Sequence, residues 1–385
     1  MKFKIEKNVL VPALSKTVAI LAARPLIPSL AGIRLEVNES GSMEITGSNG
    51  DISIVNRVEV EEFEPGGVLL AGKQLFQIVQ SLPLGVVSFE EQEAKTLISS
   101  AAAHFSLAKM AFDQYPELPK IPESIGQIEG PVLRDALDIV LISVDKNDDN
   151  SVLSGILFKI DNDKITLFTT DKYRISKRII SWKPNQALEK SILVKGNTLG
   201  ASAKAIADNP QIELRATFGQ INKKPIFDAQ LFGLSAENEQ ITSNVMAADM
   251  YPPLEQLFEM EFLHDLFVEK EKILPSLERA AIVAQSNTAV QLLLSRESLI
   301  VKAGDAAEAD INEQVPAIFK SELKEMKISF SPIYLLEGIR AIPDKWVHLK
   351  ILEPVKAVQF VGHSEHDQPE NPNFTYVLVP IFFNG

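Results

Sequence analysis

The sequence predicts an α+β fold built from three tandem copies of one unit, each with two helices and about six to eight strands. The stretch 153–176 predicts a two-strand hairpin that leads into an exposed aromatic and basic corner. A similar stretch occurs near residue 30, and a fainter one near residue 290. The length of 385 residues exceeds that of one ordinary core and predicts two or three domains. Together these observations indicate an internal repeat.

The repeat shows as residues that keep a constant spacing along the chain. Pro12 recurs as Pro275, an offset of 263 positions, and Gly32 recurs as Gly155, an offset of 123 positions. Other residues hold the same two offsets: Ile5, Leu10 and Leu14 recur as Val268, Ile273 and Leu277, and Leu10, Ala13 and Leu14 recur as Leu133, Ala136 and Leu137.

Each copy is predicted to contain an early and a late helix. In the first copy, a strand at Lys2–Ile5 precedes a helix from about Leu10 to Ala23, in which Pro12 is tolerable only in the first turn. Arg24-Pro25 should end this helix, because the residue before a proline avoids the helical conformation. The late helices are predicted at Lys73–Ser81, Asn197–Ala207 and Pro332–Ala341.

Two polar, proline-containing stretches, Asp113–Gln127 and Asp249–Glu259, share the pattern Asp-x-Tyr-Pro and are predicted to be linkers. The predicted domains are therefore residues 1–120, 128–250 and 260–385. A period near 125 residues is too long for a solenoid. Three equal domains suggest an arc, and an arc with unlike ends closes by head-to-tail association into a ring.

Composition excludes several classes of protein. The chain has no cysteine, which excludes disulfides, thiolate metal sites and cysteine nucleophiles and fits a cytoplasmic setting. No apolar run approaches the roughly 20 residues that cross a bilayer, so no membrane partner is expected. The formal net charge of −13 argues mildly against nucleic acid, although a basic surface can exist on an acidic protein.

A search for catalytic motifs finds no residue set that supports an enzyme. Gly67 to Lys73 is only an incomplete phosphate loop, and Asp145–Asn150 lacks the glycine and glutamate of a calcium loop. His363, His366 and Asp367 could form a metal site of a hydrolase, but their polar, proline-containing surroundings favour a solvated loop. We therefore predict a non-catalytic binding or scaffolding protein without a cofactor or bound metal.

The chain resembles the bacterial sliding clamp family, the beta subunit of DNA polymerase III, over essentially its whole length. No single motif is decisive, but their order and spacing together are specific. The resemblance rests on MKFKIEKNVLVPAL at the start, Arg24-Pro25 with Pro28 and Leu30, Leu153 to Phe158, Thr170-Asp171 with Arg174, Asp249 with Tyr251-Pro252, and Tyr376 to Ile381.

The resemblance implies a head-to-tail homodimeric ring with helices inside and sheets outside, which encircles duplex DNA without reading its sequence. It implies a processivity subunit that tethers the catalytic subunit of DNA polymerase III. It also implies that a clamp loader opens the ring and that repair and other polymerases bind through short peptide motifs. A topological grip needs only a few Lys or Arg near phosphates, which reconciles DNA with the acidic charge.

Three sets of functional residues follow from the resemblance. The partner-binding pocket would comprise Leu153, Thr170, Lys172, Tyr173, Arg174, Ile175, Pro252, Gln256, Leu257, Val377, Leu378, Val379, Pro380 and Ile381. The DNA-facing residues would be Arg24, Lys73, Asn147 and Lys195, and the dimer interface would contain Phe105, Leu107, Ile282 and Val283. The alternatives are solvated helix ends for the basic residues and ordinary core for Ile175, Leu257, Val379 and Val283.

Some residues depart from the family pattern. The family usually has Gly-His where this chain has Lys172-Tyr173, and often a basic residue where Gln256 stands. The family's tail ends soon after the proline, whereas this chain continues as Ile381-Phe382-Phe383-Asn384-Gly385. These departures raise the alternative of a specialised second clamp, from a phage, plasmid or resistance locus, with altered partner specificity.

Overall fold

Each repeat begins with a strand that runs directly into an α-helix, and a second helix follows several strands later. The computed structural model describes residues 1–147, 151–221, 224–284, 289–305 and 309–381, and the elements below are those of the described residues. The first repeat contains β1 (Lys2–Glu6), α1 (Lys7–Ala19), β2 (Gly32–Val37), β3 (Ser42–Ser48), β4 (Ile52–Glu59), β5 (Glu61–Glu64), β6 (Gly66–Ala71), α2 (Gly72–Ser81), β7 (Val86–Glu91), β8 (Lys95–Ser100) and β9 (Ala103–Met110).

The second repeat follows the same order, and the third has four strands instead of five between its two helices among the described residues. The second contains β10 (Ser124–Glu129), α3 (Gly130–Val140), β11 (Gly155–Asp161), β12 (Lys164–Thr170), β13 (Arg174–Ser181), β14 (Lys183–Pro184), β15 (Glu189–Lys195), α4 (Gly196–Ile206), β16 (Gln211–Ile221), β17 (Lys224–Ala236) and β18 (Glu239–Asn244). The third contains β19 (His264–Glu269), α5 (Lys270–Val283), β20 (Val290–Ser295), β21 (Ser298–Asp305), β22 (Ala309–Lys320), β23 (Glu325–Phe330), α6 (Pro332–Ala341), β24 (Trp346–Ile351), β25 (Val358–His363) and β26 (Glu370–Leu378).

The residues that define the sequence repeat are the residues that build the cores. Apolar side chains at helical spacing face one side of an amphipathic helix, and this side packs on the sheet. All three early helices bury equivalent positions: Leu10, Ala13 and Leu14 in α1, Leu133, Ala136 and Leu137 in α3, and Ile273, Ser276 and Leu277 in α5. The predicted repeat is therefore confirmed by burial.

The chain packs as two compact units that do not coincide with the repeats. The first unit contains residues 1–135 and 182–246, and the second contains residues 136–181 and 247–385. The central repeat thus contributes residues to both units.

Within each unit, the sheet of one repeat continues into the sheet of the next. In the first unit β4 pairs antiparallel with β18, where Ile54 lies opposite Ile241. In the second unit β13 pairs antiparallel with β26, where Ile175 lies opposite Val377. A sheet edge that is paired in this way leaves no exposed backbone for aggregation. The two junctions use equivalent strands of the repeat.

The first helix differs from its prediction at both ends. It begins at Lys7 and ends at Ala19, so Pro12 lies inside the helix and not in its first turn. Pro275 occupies the same position inside α5, which shows that the repeat preserves this irregularity. Arg24 consequently does not end the helix but lies in the irregular segment that follows. Leu21 leaves the helix and is buried in the core of the first repeat.

The other predicted elements agree more closely. The late helices begin at Gly72, Gly196 and Pro332, each within one residue of its prediction. Among the described residues the first two repeats have nine strands each, more than predicted, because short strands such as β5 and β14 leave no sequence pattern. The first predicted linker extends too far, since β10 already begins at Ser124. None of the described helices combines the length and the apolar character needed to cross a bilayer.

Candidate functional site

Most of the predicted pocket residues lie at one end of the sheet in the second unit. The strands β11, β12, β13 and β26 are antiparallel neighbours in this order. The start of β11 therefore lies beside the end of β12, the start of β13 and the end of β26. This arrangement brings together Leu153, the segment 170–175 and the segment 377–379.

The register of these strands separates the predicted residues onto two faces. Thr170 lies opposite Ile175, and Ile175 lies opposite Val377, so these three side chains share one face. Arg174 and its partner Leu378 lie on the other face. Leu378, whose assignment to the pocket stays a prediction, belongs to the hydrophobic core of the third repeat on the face opposite that of Ile175. The alternation of side chains along a strand decides this, because neighbouring residues point to opposite faces.

A network of hydrogen bonds fixes the corner between β12 and β13. The carboxylate Oδ1 of Asp171 accepts the backbone N–H groups of Tyr173 and Arg174, both at 3.1 Å. The Thr170 hydroxyl donates to the carbonyl oxygen of Arg174 at 2.8 Å and accepts the N–H of Lys172 at 3.2 Å. Lys172 has a φ of 78°, which few residues other than glycine adopt. The corner is therefore a rigid turn that presents Lys172 and Tyr173 to solvent.

Arg174 anchors this corner to helix α6. Its side chain is 5% exposed, and its Nε donates to Asp171 Oδ2 at 2.8 Å. Its Nη1 donates to Glu337, and its guanidinium carbon lies 4.0 Å from the centre of the Tyr334 ring. Burial alone would lower the pKa of Arg174, but Tyr376, Glu337 and Asp171 outweigh it and raise the pKa above its ordinary value. The positive charge of the buried Arg174 is thus compensated by the carboxylates of Asp171 and Glu337 and by the face of the Tyr334 ring.

Tyr376 connects α6 to the same sheet. It is fully buried, and its hydroxyl donates to the carbonyl oxygen of Tyr334 at 2.9 Å. Burial raises the pKa of Tyr376, so the hydroxyl keeps the proton that it donates. The ring lies over Gly338, where an added Cβ would approach Tyr376 Cε1 to 2.1 Å. Only glycine allows the helix to come this close to β26.

A short 3-10 turn, Glu255–Phe258, covers the apolar face of the sheet. The Phe258 ring lies 5.8 Å from the ring of Phe168, and the Lys177 Nζ lies 4.8 Å from the centre of the Phe258 ring. Lys159 forms an ion pair with Glu255. Phe168 and Lys177 are direct partners on the face of the sheet that carries Ile175. The turn therefore brings Gln256 and Leu257 to this same face.

The segment after β26 continues the pairing along the corner. The N–H of Val379 donates to the carbonyl oxygen of Tyr173 at 2.9 Å, and the N–H of Ile381 donates to that of Ser329 at 2.8 Å. Pro380 is buried, whereas Val379 and Ile381 are about two-fifths exposed. The tail that departs from the family pattern, 382–385, lies outside the described residues.

The predicted pocket residues divide by burial into two sets, called here the floor and the rim. The floor set is apolar and buried or half-buried, namely Leu153, Ile175, Pro252, Leu257 and Val377. The rim carries Lys172, Tyr173, which is 60% exposed, and Gln256. The Tyr173 ring lies 6.4 Å from that of Tyr334. This combination can hold apolar side chains of a short peptide while the rim fixes its orientation.

The residues predicted to face DNA differ in their surroundings. Lys73 is exposed in the first turn of α2, and Arg24 is exposed in the segment after α1. Lys195 ends β15 and donates to Asp51 Oδ2 at 2.7 Å, so part of its charge is compensated. Asn147 is exposed, and its N–H donates to Asp145 Oδ1 at 2.9 Å. Residues 148–150 of the same predicted loop lie outside the described residues.

The residues predicted for ring closure fall into two groups. Phe105 in β9 is 38% exposed and Ile282 in α5 is 83% exposed, so both present apolar surface. Val283 is half-buried. Leu107 is buried in the core of the first repeat, and its assignment to the interface stays a prediction.

The metal alternative on His363, His366 and Asp367 is not supported. His363 is buried in the sheet, whereas His366 packs against Trp346 with ring centres 5.1 Å apart. Among the described residues, the potential ligands that lie close to one another are His348, His363 and Glu370.

Three residues that support the corner were not predicted as site residues. Asp171, Tyr334 and Glu337 surround Arg174 from the turn and from α6. Tyr334 and Glu337 are three residues apart and so lie on one face of the helix, which is the signal that could have marked them. Their partner Arg174 could not be deduced, because it lies at least 160 positions away in the sequence.

Three like domains in tandem, whose sheets continue from one repeat into the next, match the clamp class that the sequence resembles. Family models agree: those for the DNA polymerase III beta subunit match as N-terminal domain at residues 1–119, central domain at 127–252 and C-terminal domain at 255–381. The chain therefore belongs to the DNA polymerase III beta subunit family.

Individual relatives match most or all of the chain. The beta sliding clamp of Streptomyces coelicolor is 29% identical over 386 residues and covers 100% of both chains. That of Micrococcus luteus is 30% identical over 317 residues, covering 82% of this chain and 99% of the relative. The crystal structure of the DNA polymerase sliding clamp from Bacillus subtilis has a TM-score of 0.87 at 22% identity, covering 100% of this chain and 99% of that one, which shows the shared fold.

Proposed function

We propose that this chain is a DNA sliding clamp, a homodimeric ring that encircles duplex DNA and holds the replicative polymerase on its template. The observation that carries the proposal is the match to all three domains of the family in their order. The clamp would be non-catalytic, and the ATP chemistry of ring opening would belong to a separate clamp loader.

Encirclement explains how an acidic chain can retain DNA. A closed ring holds the duplex by topology, so a few cations near phosphates are sufficient and base contacts are unnecessary. The exposed Lys73 and Arg24 are the best supported of these cations, because neither forms an ion pair with an acidic residue within the described part of the chain. Lys195 would contribute less, because Asp51 already compensates it.

Retention on DNA of different topology tests this proposal. With a clamp loader present, the protein should stay on closed circular DNA and leave after the circle is linearised, because a ring slides off a free end. Lys73→Glu should load and release in the same way but show a weaker salt dependence of retention. Equal loss of the unmutated protein from both forms of DNA would contradict encirclement.

We also propose that the apolar floor and rim bind short peptide motifs of the polymerase III catalytic subunit, the loader and repair polymerases. Burial of apolar anchors supplies most of the affinity of such peptides, and central anchors contribute most. Leu153, Ile175 and Val377 form the floor in this proposal, and Tyr173 closes its rim.

A peptide titration tests the pocket. Tyr173→Ala and Leu257→Ala should each weaken binding of a polymerase-derived peptide by about 5- to 30-fold, the range typical of interface anchors. Leu84→Ala is the matched control, because this side chain is 85% exposed and lies in the other unit. Equal affinity of all variants would refute the pocket. If the unmutated protein binds no such peptide, a specialised second clamp becomes the better hypothesis.

Ring closure would use unlike ends of the chain. Phe105 belongs to the first repeat and Ile282 to the last, so a contact between them in two protomers is head-to-tail. Two such contacts close a dimer with six repeats. The exposed apolar side chains at both positions are consistent with a surface that another copy covers.

A further inference from the structure

Two buried histidines of the third repeat face each other on the outer side of their sheet. His348 lies in β24 and His363 in β25, and their side chains are about 5% and 6% exposed. They share the face that does not contribute to the core, since the alternate residues Val347 and Leu349 lie in the core. His348 Nδ1 and His363 Nε2 are 3.1 Å apart.

In each ring, the nitrogen that points away from the other histidine lies beside a hydrogen-bond acceptor. His348 Nε2 lies 2.7 Å from Asp265 Oδ1, and His363 Nδ1 lies 2.7 Å from the carbonyl oxygen of Gln368. A carboxylate and a carbonyl can only accept, so each ring donates its N–H outward. A neutral imidazole carries one N–H. The two nitrogens that face each other, His348 Nδ1 and His363 Nε2, therefore both present lone pairs.

Two lone pairs at this distance repel each other unless a cation lies between them. The cation could be a shared proton or a metal ion. A metal ion 2.0–2.1 Å from each nitrogen, the usual distance for zinc, would subtend an angle of about 100° between nitrogens that are 3.1 Å apart. This angle is close to that of tetrahedral coordination.

Glu370 adds a carboxylate to the two histidines. Glu370 in β26 pairs directly with His363, and one potential ligand atom from each of His348, His363 and Glu370 lies within 4.8 Å of the other two. It forms an ion pair with Lys350, which a bound metal would have to displace. The Phe267 ring stacks on His348 with centres 4.1 Å apart and meets His363 edge-on at 5.5 Å, which fixes both imidazoles.

We propose that His348, His363 and Glu370 form a binding site for a transition-metal ion, with zinc as the best fit. Two imidazoles and one carboxylate form a ligand set that zinc accepts, whereas calcium and magnesium prefer oxygen ligands alone. Asp265 and the Gln368 carbonyl act as the outer partners that commonly orient metal-binding histidines. The ion would connect β24, β25 and β26 and stabilise the third repeat.

The experiment uses the full chain purified without a histidine tag and freed of metal by a chelator. Calorimetric titration with zinc should show one site per chain, and the cobalt form should give the intense visible spectrum of a tetrahedral site. His363→Gln should weaken zinc binding by at least about 100-fold, and Asp265→Asn by about 10- to 100-fold. Zinc should also raise the melting temperature of the unmutated protein by several degrees but not that of His363→Gln.

Two control variants separate this site from adventitious binding. His366→Gln removes a neighbouring histidine outside the group and should leave the affinity unchanged. Lys350→Met removes the competing cation and should leave or raise the affinity. If His363→Gln does not fold, Glu370→Gln, which changes a more exposed residue, provides the same comparison. Absence of stoichiometric zinc binding, or equal binding by the unmutated protein and the ligand variants, would leave only a shared proton between the rings and overturn the proposal.

Discussion

Substitution of Arg174 by alanine should remove the anchor that joins the corner of the candidate pocket to α6. The side chain is 5% exposed and contacts two carboxylates and one aromatic face. Removal of one partner of a buried ion pair costs about 3–5 kcal/mol. Glu337 is 34% exposed and can be rehydrated, and Asp171 keeps its two backbone donors, so we expect the lower end, about 3 kcal/mol.

Scanning calorimetry measures this loss. A destabilisation of about 3 kcal/mol should lower the melting temperature of the second unit by about 6 to 12 °C. Arg340→Ala is the matched control. Arg340 lies in α6, the helix that Arg174 contacts, and it pairs with Glu278 at a position where both side chains are more than half exposed. An exposed pair contributes about 0–1 kcal/mol, so this control should shift the transition by at most a few degrees.

A similar small shift for Arg174→Ala would refute the role of the buried cation as an anchor. The double variant with Glu337→Ala adds an independent check. If the two groups interact as the contact indicates, the second substitution should cost less in the absence of Arg174 than in its presence.

Three further predictions test other parts of the structure. Gly338→Ala should destabilise the protein by about 1–3 kcal/mol, because the new methyl group would overlap the Tyr376 ring, and a melting curve identical to that of the unmutated protein would contradict this packing. Ile282→Asp should convert the proposed dimer to monomers in analytical ultracentrifugation, whereas Leu84→Asp, at an equally exposed position, should remain dimeric. Burial raises the pKa of Tyr115 to about 12. The positive charge of nearby Arg34 lowers this pKa, but its effect is smaller than that of burial. Because the unfolded tyrosine ionises near pH 10, this contribution to stability should be complete below pH 10 and decline between about pH 10 and 12. Tyr115→Phe should flatten that decline in urea unfolding, and an unchanged profile would contradict it.

The repeat was visible in the sequence because its evidence is local and periodic. Leu10, Ala13 and Leu14 recur at fixed offsets, and helical spacing by itself assigns them to one buried face. The late helices were predicted within one residue at their start for the same reason. The end of the first helix was predicted wrongly, because the course of the chain after Ala19 depends on the burial of Leu21 in a core formed by distant strands.

The sequence by itself determined that the chain has three like units, that it belongs with the clamps, and which stretch to examine for partner binding. The tertiary structure decided which of the residues in that stretch share a face. Strand register placed Ile175 with Val377 on the apolar floor, and it placed Arg174 and Leu378 on the opposite side. Strand pairing also brought together His348, His363 and Asp265, which belong to three different strands. The physical reason is that pairing between strands is a long-range interaction, and no pattern within a single strand specifies its partner.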